Sequence, residues 1–138
     1  MIENIDFPVF VAWWNKTQNR MTPQVHFRLA TWLSDRWHKG DDRLLLMAFR
    51  GCGKSTLVGL FGAWLLSIDP SLRIMVVSAD EDLAHKMVRY VRRVIEHHPA
   101  CTHLIPDSPD QWAADRFTVN AMPIGAIRRC WGPVLPVI

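Results

Sequence analysis

Apolar positions along the chain change their period several times, and each change marks a predicted element. Between Thr22 and Gly40, the side chains of Val25, Leu29, Trp32, Leu33 and Trp37 recur at three- and four-residue steps, which puts them on one stripe of a helix. Thr22 is a candidate cap, Pro23 suits a first helical position, and Gly40 marks the end. Residues 44–49 then read LLLMAF, and residues 73–78 read RIMVVS. Both have the uninterrupted apolar character of buried strands. Between them, residues 57–68 are mostly apolar, predicting a buried helix that Asp69-Pro70 ends. Strand, helix and strand in that order predict a crossover that sets two parallel strands in one sheet.

Farther along, Ser78-Ala79-Asp80-Glu81 reads as a capping box for a helix with Leu83, Met87, Val91, Val94 and Ile95 on its inner face, closed by His97-His98-Pro99. Residues 100–120 are rich in loop signals, with Trp112 and the run 116–119 as a candidate third strand. The early patch VFVAWW, residues 9–14, fits either a short helix or an extended arm. The expected fold class is α/β: a parallel sheet with flanking helices in three α/β/α layers, lacking its later strands. Residues 1–42 form the expected N-terminal helical segment, 43–120 the partial core, and 121–138 an irregular tail.

The second apolar run leads nowhere unusual, but the first breaks into a loop with chemistry. Residues 48–56 read Ala48-Phe49-Arg50-Gly51-Cys52-Gly53-Lys54-Ser55-Thr56. Binding a polyphosphate needs backbone N–H groups converging on one concave space, and Gly51 and Gly53 remove the side chains that would obstruct it. In the pattern G-x-x-x-x-G-K-[ST], Ala48 stands at the first glycine and Gly53 at the second. Lys54 then reaches the β- and γ-phosphates of ATP, the Ser55 hydroxyl is the Mg2+ ligand, and the helix N-terminus adds its dipole. Phe49 and Cys52 are variable loop positions, with the Cys52 backbone N–H expected to face the anion. Thr56 is structural or faces the α-phosphate.

Composition narrows the setting. At 138 residues, 49% hydrophobic and 21% charged, the chain is long enough for a single core and is not a disordered type. Seven Trp and six Phe exceed what a small surface displays, so several must be buried within the chain or against a partner surface. The three cysteines are widely spaced and no signal peptide is evident, which predicts a reducing cytoplasm. Residues 57–66, the longest apolar stretch, fall far short of the roughly 18 residues of a membrane span.

The net charge of +3 is concentrated on one predicted helix by Lys86, Arg89, Arg92 and Arg93. That face is either a binding surface for double-stranded DNA or an ordinary solvated helix face. The cluster His97, His98, Cys101 and His103 contains only metal-ligand types, but HHPACTH lacks the paired spacing of structural zinc units, and no zinc is expected.

Together, FRGCGKSTL, VVSADEDLAHKMVRYVRRVIE and the upstream TPQVHFRLATWL resemble the N-terminal ATPase region of bacteriophage terminase large subunits, the motors that drive DNA into procapsids. The resemblance covers residues 22–120. It implies a P-loop NTPase core in a bacterial host cell, ATP and Mg2+ as cofactors, and the terminase small subunit and portal as partners. It also implies that Arg50 senses the γ-phosphate, a role suited to a planar guanidinium that donates to two oxygens. Pairing of Arg50 with Asp41 or Asp42 is the alternative. Gln24 and His26 are the candidates for an adenine contact, or they decorate the helix surface.

In that family, hydrolysis needs an apolar strand ending in acidic residues, which hold Mg2+ and activate water. After Val119 the chain reads NAMPIGAIRRCWGPVLPVI. The acidic strand and the nuclease domain are thus expected to be absent, and another reading frame of the tail can be back-translated to Asp-Pro-Ser-Val-Leu and Gly-Ile-Thr-Gly, which resemble the family's continuation. The expectation is a truncated or frameshifted, ATP-binding chain not competent for hydrolysis alone. The alternatives are a stand-alone nucleotide-binding or regulatory module and, less favoured because no second catalytic set follows, a small P-loop kinase.

Overall fold

The computed structural model describes residues 5–107, 112 and 116–119. Four α-helices follow in chain order: α1 (Phe7–Thr17), α2 (Gln24–Lys39), α3 (Lys54–Ile68) and α4 (Glu81–His97). A 3-10 helix, Pro99–Leu104, follows α4. The patch VFVAWW is helical, because Pro8 sits in the first turn, where no N–H is needed, and Phe7, Phe10, Val11 and Trp14 share a buried stripe.

Helix α3 is the centre of the core. It buries Leu57 and the continuous run from Gly59 to Leu66, so it needs neighbours on every side. Helices α1, α2, α4 and the 3-10 helix all pack on it. Phe7 meets the Phe61 ring edge-on at 5.1 Å, and Trp64 donates its indole N–H to the Ile5 carbonyl at 2.6 Å. The heavy aromatic load is thus partly absorbed between α1 and α3.

Caps differ in detail from the sequence expectation. Gly40 does end α2, at φ 77°, with its N–H donating to Arg36 and Trp37 carbonyls. Thr22, however, accepts from the Asn15 side chain at 3.0 Å and does not cap α2, whose N-cap is Pro23. At α4 the cap is Asp80, which accepts the Asp82 N–H at 2.8 Å, two residues beyond the expected Ser78. Val91, Val94 and Ile95 are buried as the periodicity predicts, whereas Leu83, one turn from the helix start, is 53% exposed.

The parallel sheet is not found, and the α/β three-layer expectation is corrected. Among the described residues there is no β-ladder, and the β-pairing is an isolated antiparallel bridge between Trp112 and Phe117. The regular elements among the described residues are all helices. Residues 44–49 and 73–78 are extended enough for their side chains to alternate: Leu44, Leu46 and Ala48 are half-buried, as are Ile74 and Val76, while Leu45 and Met47 are 80% and 82% exposed. Leu44, Leu72 and Ile74 pack on the helical core. Alternation reflects one face on the helices, and a strand also requires a hydrogen-bonded partner, which neither run has among the described residues. The tail at 121–138 lies outside the described residues.

His98 joins three elements. Its ring stacks on Phe10 at 3.8 Å, Nε2–H donates to the Phe10 carbonyl at 3.0 Å, and Nδ1 accepts the Ala100 N–H at 3.1 Å. This bonding fixes the neutral Nε2–H tautomer. Burial lowers its pKa below the ordinary value near 6.5, and the bond to Phe10 opposes the shift more weakly. Between the folded and unfolded pKa values the unfolded chain therefore holds more protons. The contribution of His98 to stability is complete above pH 6.5 and declines as pH falls from there toward the folded value, by at most about 1.4 kcal/mol per unit. The thermal midpoint is expected to drop between pH 7.5 and 5.5, and the slope to flatten in His98→Gln. Equal slopes in both proteins would remove His98 as the cause.

Candidate functional site

The glycine loop is assembled where the extended run 44–49 meets the start of α3. Cys52 donates its N–H to the Phe49 carbonyl at 3.3 Å, closing a turn. On either side of Cys52, Gly51 and Gly53 take φ 86° and φ 80°, the left-handed region that costs glycine nothing. Gly53 is the N-cap of α3, and Lys54 its first residue. The N–H groups of Gly53, Lys54, Ser55 and Thr56 have no backbone acceptor among the described residues, as expected for a first helical turn.

These donors meet a helix dipole with no acidic side chain in the first turn to neutralise it. Lys54 is half-buried, and Ser55 and Thr56 are exposed at the mouth. Ala48 is half-buried in the run leading in, and Phe49 is 68% exposed. One expectation changes: the Cys52 N–H is already bonded to Phe49, so it is not among the unengaged donors, which at the helix start run from Gly53 to Thr56.

Arg50 is exposed and has no ion pair among the described residues. Asp41, one alternative partner, is held by Arg36 at 3.2 Å. Gln24 is the exposed first residue of α2. His26, in the same first turn, places Nε2 at 2.7 Å from the Cys52 carbonyl. That contact spans 26 residues, and no periodicity in the sequence could disclose it.

The basic residues divide. Lys86, Arg89 and Arg93 are exposed and follow one another around α4 at helical spacing, whereas Arg92 is half-buried, 3.9 Å from Glu96 and over the Trp112 ring at 5.8 Å. In the histidine cluster, His98 and Cys101 are buried, His97 bonds the Arg93 carbonyl and His103 the Ser67 carbonyl. Among the described residues no three His, Cys, Asp or Glu side chains converge as a metal site. Burial pushes the Cys101 thiol up to about 12, which removes it as a nucleophile. A shallow hollow on α1, lined by Val9, Ala12, Trp13, Lys16 and Thr17, contains no loop residue. No helix among the described residues is long and apolar enough to cross a membrane.

Over 73 residues, 52% of its length, the chain is 38% identical to the terminase large subunit of Enterobacteria phage T3. The similar stretch makes up 12% of that phage protein. No family model matches the chain. No solved structure matches it.

Proposed function

We propose that the chain binds the Mg2+ complex of ATP through residues 48–56 and represents the nucleotide-binding part of a DNA-packaging terminase large subunit. The observation that carries this reading is the pair of left-handed glycines leading into α3, with four successive N–H groups lacking a backbone acceptor at the same helix end as Lys54. The partial likeness to a phage terminase large subunit supports the assignment to that kind of motor. In this reading Lys54 neutralises the terminal phosphates, Ser55 ligands Mg2+, and Arg50, with no competing ion pair among the described residues, donates to the γ-phosphate.

Turnover is not part of the proposal. Of the acidic side chains following the run 73–78, Asp80 caps α4 and Glu81 lies beside His85 at 3.8 Å. Binding without hydrolysis is the expected result for the isolated chain. The test is titration calorimetry with ATP, with and without Mg2+. Ser55→Ala should remove most of the gain in affinity that Mg2+ gives the parent while leaving metal-free binding unchanged. An identical Mg2+ effect in the variant would contradict the ligand role, and robust Mg2+-dependent phosphate release would contradict the non-catalytic reading.

The exposed row Lys86, Arg89 and Arg93 supports a second proposal, that α4 contacts the backbone of double-stranded DNA. About three neutralised phosphates should give a log–log salt slope near −2.7 for any duplex sequence. Replacing the three residues with alanine should abolish that slope. A salt-insensitive interaction, or binding unaffected by the triple substitution, would show an ordinary solvated face.

A further inference from the structure

We propose that His26 is a positioning residue that holds the Cys52–Gly53 peptide plane with the Gly53 N–H turned toward the bound phosphate. The inference rests on the phosphate-loop reading and adds to it the device that sets the loop's polarity. A carbonyl only accepts, so the 2.7 Å contact requires His26 Nε2 to carry the proton and donate to Cys52. Nδ1 is buried and has no hydrogen-bond partner among the described residues, so the Cys52 contact is the ring's one hydrogen bond there. No peptide bond among the described residues is cis, and in a trans peptide the C=O and the next N–H point in opposite directions. Fixing the Cys52 oxygen against His26 therefore aims the Gly53 N–H away from the imidazole.

The plane needs such a restraint. Reversing it changes φ of Gly53 from its present 80° to a negative value, and glycine populates both regions about equally, so the loop's own backbone does not choose. His26 also occupies the space beside Gly53: a Cβ there would lie 2.7 Å from Nε2. The glycine thus admits the imidazole, and the imidazole removes the freedom that glycine brings. Without the bond, a population with the Cys52 oxygen facing the anion would oppose binding electrostatically.

Mg2+–pyrophosphate and Mg2+–ATP, titrated into the parent, His26→Leu and His26→Gln, separate the roles. Leucine removes the donor, and glutamine retains an N–H at similar reach. Loss of one hydrogen bond's orienting effect should weaken both ligands about five- to tenfold in His26→Leu, with glutamine recovering most of it and thermal midpoints little changed. Weakening confined to ATP would assign His26 to the base and overturn the proposal, as would unchanged binding of both. If the parent itself fails to bind pyrophosphate, the phosphate-loop reading fails first. Independently of any variant, the imidazole 15N spectrum of the free parent should report an Nε2–H tautomer, and an Nδ1–H tautomer would overturn the inference.

Discussion

Lys54→Ala is expected to weaken Mg2+–ATP binding by about 100-fold or more while leaving the protein as stable as the parent. In the proposed complex the ammonium makes charge-assisted hydrogen bonds to phosphate oxygens, each contributing roughly 1.5–3 kcal/mol, so loss of two exceeds a factor of 100. Stability should not follow. Lys54 is the first residue of α3, where a cation opposes the helix dipole, and no acidic residue lies in that turn to compensate. Alanine is also the better helix former. A lysine placed against its own helix dipole is explained by a ligand. Affinity and thermal midpoint measured on the same samples decide the matter, and parallel losses in both would mean that Lys54 is structural.

The second large effect concerns the packing that holds α3 in place. Gly→Ala inside a helix ordinarily stabilises by up to about 1 kcal/mol. At Gly59 the sign should reverse, because a Cβ would overlap the Tyr90 ring of α4 and approach Met87 Sδ to 3.2 Å. Tyr90 is largely enclosed at this crossing, and burial has pushed its hydroxyl up to about 12. Overpacking of this kind costs roughly 1–3 kcal/mol. Gly62, one turn along, provides the control: a Cβ there would meet only Val91 at 3.8 Å and Ile74 at 3.9 Å, ordinary contacts. Denaturant unfolding should show Gly59→Ala destabilised and Gly62→Ala neutral or stabilised. Equal effects at the two sites would contradict the observed approach of α3 and α4.

What can be read from the chain depends on whether the signal is local. The α2 stripe and its Gly40 terminus, the mostly apolar α3, and Val91, Val94 and Ile95 of α4 all follow from helical spacing along the sequence. The glycine pattern likewise points to a tight turn at Gly51 and Gly53, which both residues make in the left-handed region. The capping box at Ser78 fails because Asp80 competes two residues later with a charged acceptor, which binds the first free N–H groups more strongly than a hydroxyl. For residues 44–49 and 73–78, apolar runs specify an extended chain with a face to bury, but they are silent about whether a second strand will bond to it. The His26–Cys52 contact is tertiary, and residue types alone leave His26 assigned to the base or to solvent.

Backbone 1H–15N correlation spectra of the chain titrated with Mg2+–ATP test the central claim most directly, since they report on the amides proposed to do the binding. Saturable shifts are expected at Gly53, Lys54, Ser55 and Thr56, whose N–H groups lack backbone acceptors, with a smaller change at Cys52, which is already bonded to Phe49. The same titration of Lys54→Ala should leave these signals where they began. Absence of saturable shifts in the parent, or shifts confined to Lys86, Arg89 and Arg93 on α4, would contradict a phosphate-binding loop at the start of α3.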